Sequence, residues 1–175
     1  MEKYVATPQL GIKEAVQLAC SRLFDFNGRS RRSEFWWFMF VFYLVCYVLG
    51  LFLSYFLPSV TAAIINSSLW IFAMGVTIRR LQDNGHSKWW VILAFIVSIV
   101  CNAYLVNSDF MFELSSVNVN PESIVKSLVN DPYIMYLSLL DTVFTIVIVV
   151  MCLMDGKPNP NKYGESPKYQ LASEA

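Results

Sequence analysis

Charge is what this chain lacks. From Phe35 to Ile78 there is no Asp, Glu, Lys, Arg or His. Charged residues make up 15% of the sequence, where a soluble domain carries about 25%. There is one histidine, His86, so no second imidazole exists to complete a metal site. The four cysteines, Cys20, Cys46, Cys101 and Cys152, form no CxxC pair and no disulfide framework, and no redox or metal role is assigned to them. No Walker-A spacing, nucleophile elbow or zinc pattern occurs. The sequence therefore reads as non-enzymatic and implies no cofactor. Basic and acidic residues are equal at 13 each, which points to no nucleic-acid partner.

What is present is apolar, with 56% hydrophobic and 15% aromatic residues. One membrane crossing takes roughly 20 apolar residues. The run from Phe35 to Ile78 is too long for one crossing, and Pro58-Ser59 near its middle suits a tight turn between two. The predicted spans are 35–57, 60–78, 89–106 and 133–154, the last interrupted only by Asp141. Buried core helices are a poor alternative, because four such runs leave too little chain to cover them. The first long run starts at Phe35 and exceeds a signal-peptide core of roughly 7–15 residues, which argues against a cleaved leader. The expected fold class is all-α, an integral membrane protein with four transmembrane helices. Residues 1–34 precede the membrane domain at 35–154, and 155–175 form a tail.

The basic residues give a side. Lys3, Lys13, Arg22, Arg29, Arg31 and Arg32 precede the first span. Arg79, Arg80 and Lys88 lie between the second and third, and Lys157, Lys162 and Lys168 follow the fourth. Lys126 alone sits in the long loop between the third and fourth. Basic flanks resist translocation, so both termini are expected in the cytoplasm. Trp36, Trp37, Trp89 and Trp90 fall at the inner ends of the first and third spans as interface anchors, with Tyr55, Tyr133 and Tyr136 near the outer ends.

Two flanking segments read as short helices. Thr7 can cap a helix with Pro8 at its first position. Ile12, Val16, Ala19, Cys20, Leu23 and Phe24 then recur at helical spacing, opposite Lys13, Glu14, Gln17, Ser21 and Arg22. Such an amphipathic helix can lie on the inner leaflet or pack on the protein's own loops. In the long loop, Asn120-Pro121 can start a helix with Ile124, Val125, Leu128 and Val129 on one face, and Phe110, Met111 and Phe112 can dip into the outer interface.

Three blocks stand at the inner side: FDFNGRSRRSEFWWF at 24–38, RRLQDNGHSKWW at 79–90 and NKYGESP at 161–167. Their content and order resemble the family called domain of unknown function 805, over about residues 24–167. That resemblance implies a small protein of the bacterial inner membrane and supplies no activity.

Arg29, Arg31, Arg32, Arg79 and Arg80 should meet at the inner headgroup level with Glu34 and Asp83. Arginine and carboxylate can pair in two parallel hydrogen bonds. These residues could thus form an ion-pair lock, a site for lipid or phosphate headgroups, or a topogenic signal. Asp83-Asn84-Gly85 is a turn in which Gly85 permits positive φ, and the Asn161–Gly164 turn of the tail could fold back onto the arginines.

Asp141 is the one acid deep in an apolar run, and Ser138 and Thr145 share its face. At ~1.5 Å per residue it lies roughly 12 Å below Tyr133, while Asn66 and Asn102 lie roughly 9 and 6 Å down their own spans. Asn66, Asn102 and Asp141 are therefore expected to gather in the outer half of the membrane, as a proton or ion relay or as a packing knot. The expected function is a structural or regulatory membrane module that binds lipid headgroups or a membrane partner through an Arg/Trp belt. The alternative is a small oligomeric transporter or channel built around Asp141.

Overall fold

The computed structural model describes residues 4–114 and 120–171, without the side chains of Ser59, Phe112, Glu113 and Leu171. Lys3 and the Phe112 side chain thus lie outside the described residues. The chain runs β1 (Tyr4–Ala6), α1 (Ile12–Ser21), α2 (Arg32–Phe56), α3 (Ser59–Ser68), α4 (Ile71–Asp83), α5 (Trp89–Val106), α6 (Asp109–Leu114), α7 (Pro121–Asn130), α8 (Pro132–Leu153) and β2 (Tyr169–Leu171). Four helical stretches are long and apolar enough to cross a membrane: Arg32–Phe56, Val60–Asp83, Trp89–Val106 and Pro132–Leu153. Their mean hydropathies are 2.1, 1.6, 2.2 and 2.3. Only 6% of the α8 window is buried within the protein. Side chains such as Phe40, Tyr47, Leu51, Leu139 and Ile146 face outward. Apolar surface on that scale is stable only against hydrocarbon, so the chain is an all-α, multi-pass membrane protein.

The second span differs from its sequence reading at two places. It is not one unbroken helix. At Leu69-Trp70 the backbone shifts to bonds three residues back: Leu69 N to Asn66 O, 3.3 Å; Trp70 N to Ser67 O, 3.2 Å; Phe72 N to Leu69 O, 3.0 Å; Ala73 N to Trp70 O, 3.1 Å. Asn66-Ser67-Ser68 precede that shift, and such side chains compete for backbone groups. Ser68 Oγ, for example, donates to Ile64 O at 2.8 Å. The span also runs past Ile78 to Asp83 instead of ending there. Arg79 and Arg80 find acceptors inside the protein, so the helix does not stop where charge begins. It closes in a Schellman motif: Gly85 has φ 85°, its N–H bonds Gln82 O at 3.0 Å, and His86 N–H bonds Leu81 O at 3.0 Å.

The amphipathic helix forms, but it starts at Ile12 after Gly11, not at Pro8. Thr7 is engaged elsewhere. Its N–H donates to Lys168 O at 2.9 Å, which extends the antiparallel β1–β2 ribbon (Tyr4 opposite Leu171, Ala6 opposite Tyr169) by one residue. That ribbon was not anticipated, and it puts the first and last described residues beside each other. α1 packs on α2 through Ala15 and Ala19, both fully buried. It keeps Ile12 and Leu18 exposed on the flanks of that contact.

The compact core lies at this same end. Ala19, Phe35, Phe38, Met39, Ala73, Val76, Ile78, Leu81, Val91 and Cys152 form one buried cluster. Gly75 brings α4 onto the turn after α1. A Cβ there would stand 2.0 Å from Leu23 O, so no side chain fits. At the other end of the bundle, Asn120 accepts from Glu122 N at 3.0 Å and starts α7, with Pro121 at its first position.

Candidate functional site: an arginine knot at the helix ends

Three elements end together beside the ribbon: α1 at Ser21, α4 at Asp83 and α8 at Leu153. The last carbonyls of any helix lack intrahelical partners, and its C-terminus attracts cations. Arginines occupy these positions. Arg80 Nε donates to Cys152 O at 3.0 Å, one Nη donates to Ser30 O at 3.3 Å and Asp83 Oδ2 at 2.6 Å, and the other donates to Met154 O. Asn84 Nδ2 adds Met151 O at 2.7 Å. Together they cap α8. Arg79 caps the end of α1, donating to Arg22 O at 2.5 Å and Asp25 O at 2.6 Å. Its other Nη lies 3.4 Å from Glu34 Oε1.

Arg29 ties the tail to α4. Its Nε meets Asp83 Oδ1 at 2.7 Å, and its Nη atoms donate to Lys157 O at 2.5 Å, Asn159 O at 3.0 Å and Gly164 O at 3.3 Å. Asp83 thus gives one oxygen to Arg29 and the other to Arg80. Gly156 passes directly over that carboxylate, and a Cβ there would stand 1.9 Å from Oδ2. The tail turn closes with mutual Asn161–Gly164 bonds of 3.0 Å and folds back onto α4, where Asn161 Nδ2 donates to Gln82 O at 2.9 Å. Arg31 clamps the ribbon instead, donating to Thr7 Oγ1 at 2.8 Å, Thr7 O at 2.8 Å and Pro8 O at 2.5 Å.

Arg29, Arg31, Arg79, Arg80, Glu34 and Asp83 are all buried. Four guanidinium charges face two carboxylates, and the helix-end and loop carbonyls supply the remaining negative potential. The N–H groups that could grip a phosphate are mostly spent on protein oxygens. Arg32 differs: it is exposed, 3.3 Å from Asp155, which also lies 3.4 Å from Lys168. Partial burial works to raise the Asp155 pKa, but hydrogen bonds from Arg32 and Lys168 outweigh it and leave the carboxyl below its ordinary value. The hydrogen bond from Arg22 does the same to Asp25. Trp36, Trp37, Trp89 and Trp90 are exposed around the knot. Among the described residues no group of His, Cys, Asp and Glu could hold a metal.

The family profile described as "Protein of unknown function (DUF805)" matches residues 23–165. The chain belongs to this family. The match takes in the knot from Arg29 to Gly164, while Thr7, Pro8 and the ribbon fall outside it. No curated protein and no solved structure matches the chain.

The intramembrane polar residues are placed separately. Ser98 Oγ donates to Asp141 Oδ1, joining α5 to α8. Asn102 Nδ2 donates to Ser98 O at 2.7 Å, and Ser67 Oγ lies 3.4 Å from Asn102 Oδ1. Asn102 therefore reaches Asp141 through Ser98. Asn66 points elsewhere, its amide near Gly50 of α2 and its Oδ1 buried with no hydrogen-bond partner among the described residues. Ser98 was missed in sequence, although it stands one helical turn before Asn102 on the same face. Gly75 and Gly156 were missed too, since nothing local shows what a glycine lies against.

Proposed function

We propose that the protein is a structural module of the bacterial inner membrane, with both termini in the cytoplasm, that presents a braced rim to anionic lipid headgroups. The observation that carries this is the full burial of Arg79 and Arg80, each committed to acceptors on separate segments. In this reading Arg29, Arg31, Arg79 and Arg80 form a lock with Glu34 and Asp83. Headgroup contact falls to the exposed Arg32, Lys157 and Lys162 and to Trp36, Trp37, Trp89 and Trp90. A cation near an anionic leaflet contributes about 1 kcal/mol of attraction, and an indole prefers the headgroup layer.

Native mass spectrometry from membranes tests the reading. The wild type should retain anionic lipid, and the triple variant Arg32→Gln, Lys157→Gln, Lys162→Gln should lose most of it while staying folded. Unchanged retention would refute the rim, and a co-purifying protein mass in place of lipid would make the rim a docking site for a membrane partner. A second reading, a small oligomeric transporter or channel, is favoured by one observation: Asp141 lies within a span and its hydrogen-bond partner is an uncharged hydroxyl. Ion flux in liposomes, abolished by Asp141→Asn, is its test.

A further inference from the structure

We propose that Asp141 and the side-chain oxygens linked to it form an intramembrane site for a single sodium ion. The inference shares its carboxylate with the transport reading but does not require flux, so binding without flux would uphold it and sink the transporter. It is independent of the lock.

Asp141 is the one charged residue of the four spans that stands away from their ends. A carboxylate at such depth needs a counter-charge, because hydrocarbon does not solvate it. The knot shows how this chain neutralises charge where a resident partner exists. Asp141 has none. Its hydrogen-bond partner is the Ser98 hydroxyl. α3 and α5 carry no charged residue. The charges of α4, namely Arg79, Arg80 and Asp83, are gathered at the end of α8 marked by Cys152. Lys126 of α7 lies beside Ile134 at the opposite end, with Glu122 on the same short helix. The titratable group near Asp141 on α5 is the Cys101 thiol.

The surroundings are hard oxygens. Ser98, Asn102 and Ser67 link in sequence from the carboxylate across α5 to α3. That line reaches the second span where it is broken, just before the Leu69-Trp70 turn. One carboxylate among neutral side-chain oxygens calls for one positive charge and no more.

Thermal unfolding of the full chain in nanodiscs reads the site. At matched ionic strength, sodium should raise the midpoint over choline by roughly 3–6 °C at tenfold saturation. Asp141→Asn should abolish the response and Asp141→Glu should keep it; if the asparagine variant fails to fold, Ser98→Ala takes its place and should weaken the response. If sodium acts on the wild type no differently from choline, the proposal fails. An equal response of wild type and Asp141→Asn to sodium overturns it too.

Discussion

The knot is a buried polar region and the Asp141 seam a half-buried one of the same small bundle, and they are solved differently. In the knot, every buried carboxylate faces a guanidinium and the arginines run on to carbonyls of four chain segments. In the seam, a lone carboxylate meets a serine. A charge supplied with partners by its own chain is an element of structure. A charge left without one is where a ligand has chemistry to perform. The difference also follows geometry. The knot lies where three helices end and bare carbonyls are plentiful, whereas the seam lies mid-span, where backbone groups are taken.

Substitutions can break this comparison. Arg80→Leu should have the largest effect, because it takes the partner from Asp83 Oδ2, leaving the carboxylate to Arg29 alone, and uncaps α8 at once. Removing one partner of a buried pair costs about 3–5 kcal/mol, read as a lower unfolding midpoint in detergent. Gly75→Ala comes next. Its Cβ would stand 2.0 Å from Leu23 O, so α1 and its turn must move off α4. Overpacking of that kind costs about 1–3 kcal/mol, visible as faster hydrogen exchange in α1. Asp141→Asn should cost least of these three changes, under about 1 kcal/mol in a cation-free buffer, since a membrane hydrogen bond averages about 0.6 kcal/mol. If it destabilises as much as Arg80→Leu, the seam is structural and the contrast collapses.

The smallest effect is one of pH. The carboxyls of Asp25 and Asp155 sit below the ordinary value of 3.8. Their stabilisation is therefore present above that value and is lost as pH falls through the depressed one. Asp155→Asn should flatten this acid limb slightly, and added salt should do the same, because the Arg32 and Lys168 contacts are largely exposed.

The spans were legible because hydropathy and length are properties of a segment. The meeting of Arg79, Arg80, Glu34 and Asp83 at one boundary was legible because charges cluster where apolar runs stop. What the arginines hold was not legible. Carbonyl oxygens belong to every residue, so no side chain marks Cys152, Met154 or Asn159 as acceptors. Thr7-Pro8 has the local signature of a helix start, yet Lys168 and Arg31, remote in sequence, claim the threonine. The break at Leu69-Trp70 was missed because serines and an asparagine are tolerated in a helix, and their competition for the backbone is decided by packing.

Arg80→Lys tests the central claim most directly, because it keeps the charge and removes the planar fork. Thermal stability and retained anionic lipid should be measured on the same sample. A lock predicts a clear fall in the unfolding midpoint with lipid per folded molecule unchanged. An unchanged midpoint with lipid lost would make the buried arginine a headgroup ligand and contradict the account.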